Sequence, residues 1–365
     1  MKKSVLKKAG MLIIGGVVAF AFAAALGGCG NEEEALPEEN VKYEIALVTD
    51  DSLVMDGGHS ETAWNAITEF GGTHGISHKY YKATEQTDAA FIDTIKTAIN
   101  KGAKVVIVDN NSMANAVYEM QKQYPEIDFI LLAAVFDDPE KAEELITKNT
   151  VAAVFDAAQA GYLAGYAAVI DGSTELGFIG QSKTPDVKAF GVGYVKGAER
   201  AAGEVGAAVT MDYKYCEDSD SREAVYQKAI DMYDGGAQVI FAAGSGIQEA
   251  VIEAAEVKDG KVIGSCTDQS AKSDKVITSA VYDIRGALKE ILGDYAKDNF
   301  PGGLVLPYRA DNDGVGLALK NNRLSNLTQD QYDAVLESLA KGEIQLNADR
   351  VASIEDIITV NLTFK

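Results

Sequence analysis

The chain has 365 residues, of which 47% are hydrophobic and 24% charged, with 35 glycines against 6 prolines. That composition belongs to a core-forming globular protein and excludes a disordered or fibrous one. A net charge of -22 with no basic arm or basic-aromatic cluster excludes nucleic acid as a partner, because an acidic surface repels phosphate backbones.

The first 28 residues read as a secretory signal. Lys2, Lys3, Lys7 and Lys8 stand without an acid, an apolar run follows from Met11 to Leu26, and Gly27-Gly28 precedes Cys29. The run is short of the ~20 residues that span a bilayer. The expectation is cleavage before Cys29 and lipidation of its thiol, which anchors the protein on the extracytoplasmic face of the cell membrane. Losing the signal removes four lysines and no acid, so the charge becomes more negative still. Residues 29–40, with Glu32-Glu33-Glu34 and Glu38-Glu39 around Pro37, read as a flexible acidic tether. Cys216 and Cys266 then remain, too few for a disulfide scaffold.

From Val41 the character changes. A strand at Tyr43–Val48 ends in Thr49-Asp50-Asp51 and is followed by a helix at Ser60–Phe70, a strand at His78–Lys82, a helix at Gln86–Asn100 and a strand at Lys104–Val108. Helix Met113–Gln123, strand Asp128–Leu132, helix Asp156–Ile170 and strand Leu176–Ile179 continue the rhythm. Helix Val187–Ala202, strand Ala208–Tyr213, helix Ser221–Tyr233, strand Gln238–Ala242, helix Ile247–Glu256 and strand Lys261–Gly264 complete it. Near-continuous apolar strands alternating with helices predict an α/β fold with parallel sheets covered on both faces. The length predicts two doubly wound, Rossmann-like lobes. Residues 149–155 and 276–281 read as segments passing between them, and a helix is expected at Tyr282–Lys297. The expected partition is 41–150 with 278–300 in an N-terminal lobe, and 151–277 with 301–365 in a C-terminal lobe. In the last part, strands at Leu304–Tyr308 and Gly314–Leu319 precede a helix over Thr328–Lys341, capped by Thr328 and ended by Gly342.

In open α/β sheets a ligand sits beyond the carboxyl ends of the strands. The loops Thr49–Ser60, Asp109–Ser112, Ala133–Phe136, Gly180–Asp186, Gly244–Gly246 and Ser265–Gln269 therefore hold the candidate site. They do not suggest catalysis. Only His59 of the three histidines lies in such a loop, and no HExxH or CxxC spacing offers a metal site. Ala243-Gly244-Ser245-Gly246 lacks the spacing of a hydrolase elbow. Gly177–Gly180 lacks the Lys-Ser/Thr ending of a phosphate loop. No enzyme, cofactor or metal is expected.

The ordered segments VTDDSLVMDGGHSETAWNAI, YPEIDFI, AGYLAGYAAVI, GFIGQSKTPDVKAFGVGYVKGA, GAQVIFAAGSG, VIGSCTDQS and VITSAV resemble the basic membrane protein (PnrA-like) family. These are lipoproteins that serve as substrate-binding components of ABC importers, commonly for purine nucleosides. The resemblance runs from Val41 to the C-terminus and implies the type I periplasmic-binding-protein architecture. It implies a small-molecule ligand gripped between the lobes, delivery to ABC permease subunits, and hinge closure around the ligand.

Residue by residue, the resemblance gives Asp50 the role of a ligand hydrogen-bond acceptor and puts Tyr194 where the family has a base-stacking Phe. It also marks departures. His59-Ser60 stand where the family has Phe-Asn, Tyr282 where it has Lys, and Ala133 where it has Asp. Cys266-Thr267-Asp268-Gln269 replaces Asp-x-Asp-Gln, whose first Asp holds ribose hydroxyls, and neither Cys nor Ala gives sugar hydroxyls a charged acceptor. The expected ligand is a small aromatic or heterocyclic metabolite, nucleoside-like but with altered ribose contacts. The residues expected to touch it are Asp50, His59, Ser60, Asn110, Asn111, Tyr194, Gly244, Cys266, Asp268 and Tyr282. Two alternatives stay open: a ligand-sensing subunit of a membrane receptor, and a surface lipoprotein whose cleft has decayed.

Overall fold

Strands IALVT and VVIV, at Ile45–Thr49 and Val105–Val108, have every residue buried, as strands covered on both faces must. The computed structural model describes residues 42–50, 54, 57–136, 141–217, 220–351 and 353–365. The signal, Cys29 and the tether lie outside the described residues. Thirteen described strands run in chain order: β1 (Ile45–Thr49), β2 (His78–Lys82), β3 (Val105–Val108), β4 (Asp128–Leu131), β5 (Thr150–Phe155), β6 (Glu175–Gly180), β7 (Val209–Tyr215), β8 (Val239–Ala243), β9 (Lys261–Cys266), β10 (Val276–Tyr282), β11 (Val305–Tyr308), β12 (Val315–Leu317) and β13 (Leu362–Phe364).

They form two sheets, ordered β11-β5-β4-β3-β1-β2 and β12-β10-β9-β8-β6-β7-β13. Every described pairing is parallel except β10 with β12. The helices between them are α1 (His59–His74), α2 (Asp88–Asn100), α3 (Ala114–Gln123), α4 (Ala142–Leu145), α5 (Ala157–Ile170), α6 (Pro185–Val205), α7 (Arg222–Asp234), α8 (Gln248–Lys258), α9 (Ile284–Tyr295) and α10 (Gln329–Ala340). Two doubly wound α/β lobes result, as the alternation predicts. Strand β2 (HKYYK) is apolar-poor because it is an edge strand, held by five-residue pairing with β1 rather than by burial on both faces.

The lobe boundaries differ from the expected partition. Residues 151–155 belong to the first sheet, because β5 pairs with both β4 and β11. Residues 278–282 belong to the second sheet through β9 and β12, and 305–308 return to the first. The crossings therefore follow Phe155, Tyr282 and Tyr308. Tyr282 ends a strand instead of opening a helix, and Asp283 caps α9 by accepting from Gly286 N at 2.9 Å.

Glycines explain the small-residue motifs. A Cβ on Gly165 would lie 2.0 Å from the Tyr194 carbonyl oxygen, and one on Gly193 would lie 2.0 Å from that of Ala158. Helices α5 and α6 thus cross with their backbones in contact, and α5 is buried everywhere except Gln159. Downstream, Thr328 accepts from Gln331 N at the start of α10, and the Gln331 side chain returns to Thr328 N at 3.0 Å. The final strand β13, which its three-residue length hides in the sequence, adds to the edge beside β7.

Candidate functional site

In the first lobe, the loops after β1 and β3 bring three expected residues together. Asn110 donates from Nδ2 to Asp50 Oδ2 at 3.0 Å and to Asp109 Oδ1 at 3.2 Å, while its own Oδ1 accepts from Ser112 N at 2.9 Å. Every polar atom of the Asn110 amide is therefore oriented. His59 opens α1 beside them. Its Nε2 is buried with no hydrogen-bond partner among the described residues. Burial lowers its pKa to about 4 against the opposing pull of the Asp50 carboxylate, so the imidazole is neutral at pH 7. Ser60 is buried beneath it. Asn111 faces another way: its Oδ1 accepts from Val135 N at 2.9 Å and ties the loop after β3 to the loop after β4.

The second lobe treats its expected residues differently. Tyr194 lies in the core, fully buried between Phe178 and Phe241 at ring-centroid distances of 6.2 and 5.1 Å, which is why α6 presents it to the sheet and not to the cleft. Burial raises its phenol pKa. Gly244 spends both backbone groups locally, donating to Ser265 Oγ at 3.1 Å and accepting from Gln248 Nε2. Asp268 is exposed and its carboxylate accepts from Ser270 N at 2.9 Å. Cys266 holds the left-handed backbone, with φ of 67°. Burial, reinforced by the Asp186 carboxylate and partly opposed by a hydrogen bond with Ser265, pushes its thiol up to about 12. The thiol is protonated and a poor nucleophile. Ala133, across the cleft in the first lobe, also has a positive φ, 49°. Non-glycine residues in this region cluster at ligand sites and cost roughly 1 kcal/mol or more each.

Between the lobes, the three crossings end alike: Phe155-Asp156, Tyr282-Asp283 and Tyr308-Arg309. Their rings stack. Tyr282 lies parallel to Phe155 at 4.8 Å and 12°, and to Phe190 of α6 at 5.5 Å and 14°, while Phe155 also stacks on Tyr308 at 5.1 Å. Beside Tyr282 is an open groove of about 540 Å³ shared by both lobes, walled by Glu61, Thr62 and Asn65 from α1 and by Thr267, Asp268 and Lys320 from the second lobe. Thr267 Oγ1 bridges the lobes directly, donating to the Gly57 carbonyl at 3.3 Å. Phe155, Phe190, Tyr308 and Asp186 were not expected at the site. The repeated aromatic-then-polar pair at each crossing is the signal that marks two of these four, Phe155 and Tyr308.

Two doubly wound lobes joined by three crossings, with a groove walled by both, are an architecture that solved solute-binding proteins share. Solved structures agree on the fold. An ABC transporter solute-binding protein from Conexibacter woesei superposes with a TM-score of 0.68 at 20% identity, covering 84% of this chain and 99% of that one. A solute-binding protein from Aeropyrum pernix gives 0.66 at 15% identity over 86% and 90%. Among curated relatives, the ABC transporter nucleoside-binding protein BmpA of Lactococcus lactis is 25% identical, covering 88% of this chain and 93% of its own. Basic membrane protein B of Borreliella burgdorferi is 28% identical over 88% and 92%.

The family model of PnrA-like ABC transporter substrate-binding proteins matches residues 43–350, and the chain belongs to that family. It is a non-enzymatic transporter component of type I binding-protein architecture, which binds a small molecule and delivers it to permease subunits. Among the described residues, no helix is long and apolar enough to cross a membrane.

Proposed function

We infer that this protein is a lipid-anchored, extracytoplasmic receptor that captures a small planar heterocycle between its lobes and hands it to an ABC permease. The observation that carries the reading is the first-lobe polar group of Asp50, Asn110 and neutral His59. A carboxylate, an amide and an unpaired imidazole nitrogen at neighbouring strand-end loops suit the in-plane donors and acceptors of a heterocyclic edge. The nucleoside-binding relative from Lactococcus lactis supports the same chemical class. Asp50 accepts from the ligand, Asn110 fixes the Asp50 oxygen, and His59 Nε2 supplies the remaining polar contact. The lobes then close about the three crossings.

Calorimetry with nucleobases, nucleosides and heterocyclic vitamins tests the ligand class. Saturable binding of one of them is the expected result; binding of a plain sugar with no response to any ring compound refutes it. The anchor rests on Gly27-Gly28-Cys29 after the apolar run. Labelled palmitate should enter the native protein and not a Cys29→Ala variant; equal labelling of both would remove the anchor from the account.

A further inference from the structure

The faces of Phe155 and Phe190 are the flat apolar surfaces nearest the crossings, and the protein consumes them internally. Tyr282 stacks on both, within the 4.5–7 Å range in which aromatic pairs attract, and Tyr308 takes a further contact with Phe155. Phe190 also has Phe241 packed edge-on at 5.7 Å. Neither ring has a face to offer while Tyr282 stays in place. Tyr282 differs from Tyr194, however, in where it sits. Tyr194 is deep in the second lobe, whereas Tyr282 walls the interlobe groove and a second hollow beside it that is lined by Asp283, Asp313 and Tyr332. Tyr282 is 8% exposed and so lines both with only part of its surface. Cys266, one position from it across the β9–β10 register, and the carboxylates of Asp186 and Asp156 lie close enough to act on its hydroxyl.

We propose that Tyr282 is a specificity-determining plug: its ring occupies the aromatic slot formed by Phe155 and Phe190, and so restricts the cleft to a compact ring ligand without a sugar. The proposal rests on the heterocycle reading above and narrows it from nucleoside-like compounds to free bases or ring compounds of similar size. The polar contacts of such a ligand come from Asp50, held by Asn110, and from His59. A nucleoside brings a second, bulky half that needs the volume Tyr282 fills.

The test is calorimetry of the purified protein with matched pairs: adenine and adenosine, guanine and guanosine, uracil and uridine. Wild type should prefer the base of at least one pair by about tenfold or more. Tyr282→Leu, which is smaller than tyrosine and has no flat face, should strengthen nucleoside binding by about tenfold and change base binding less than about threefold. Tyr282→Phe keeps the plug and should behave as wild type, and Tyr282→Ala serves as a second opening variant if the leucine repacks the slot. Loss of base binding in Tyr282→Leu and Tyr282→Ala would make Tyr282 a ligand contact and overturn the plug, as would unchanged nucleoside affinity. The two readings fail distinguishably. Wild type binding a base with no nucleoside gain in either opening variant leaves the heterocycle assignment standing and removes the plug. Wild type silent toward every ring compound overturns both readings, whatever the variants bind.

Discussion

The two walls of the cleft use their polar groups in opposite ways. On the first lobe, Asp50, Asn110 and His59 converge at the strand ends, and an imidazole nitrogen is kept buried and unpaired among them. On the second lobe, Gly244 closes its loop, Asp268 caps a turn at the wall of the groove, Cys266 keeps its proton, and Tyr194, on α6, belongs to the core. Burial decides the difference. A buried polar atom left without a partner can take one from a ligand, and His59 Nε2 is such an atom beside the strand-end loops, whereas the unpaired Tyr194 hydroxyl is enclosed in the core of the second lobe. On the proposed reading, the first lobe supplies the main polar contacts and the second lobe chiefly shape.

The largest expected effect tests the rigidity of the second wall. Gly165→Ala drives a methyl into the Tyr194 carbonyl and should destabilise the protein by about 3 kcal/mol, measured by urea unfolding. A loss below about 1 kcal/mol would show that α5 and α6 can move apart and that the wall is softer than described. Next comes the contrast itself. Asp50→Ala should weaken ligand binding roughly 30-fold or more, the usual worth of a hydrogen bond to a charged group, while Asp268→Ala should change it less than about twofold. Comparable losses in both would erase the distinction between the walls.

The third expectation concerns pH. The imidazole of His59 titrates near 6.5 when unfolded and at about 4 when folded, so between those values the unfolded chain binds the extra proton and folding weakens as pH falls. That cost is on the order of 3 kcal/mol by pH 4. His59→Gln should flatten this part of the stability profile; an unchanged slope would assign it to carboxylates elsewhere. The smallest effect is Cys266→Gly, which relieves a left-handed backbone at φ 67° and should stabilise by about 1 kcal/mol without altering the first lobe's contacts.

Much of this architecture was legible because strands buried on both faces must be largely apolar, and β1, β3 and β8 satisfied that rule. The motif GYLAGY was legible as a family mark, but its cause is helix crossing and not ligand contact. Short edge elements were not legible. Strand β13 has three residues, and the terminal segment before it is held by Glu199, which accepts from Val360 N and Asn361 N. The site was half legible: spacing placed Asp50, His59 and Asn110 at strand ends. Whether a side chain turns to the cleft or the core depends on helix rotation, and one turn of α6 separates Phe190, against the crossings, from Tyr194, inside the lobe. Lobe membership failed at the crossings for the same reason, because an apolar strand such as β5 carries no sign of which sheet will pair it.

The most direct measurement is a calorimetric titration of a heterocycle panel into wild type and Asp50→Ala side by side. The account predicts one saturable site for a ring compound in the wild type and its near-complete loss in the variant. Undiminished binding in Asp50→Ala, or saturation of the wild type by a sugar alone, would contradict it.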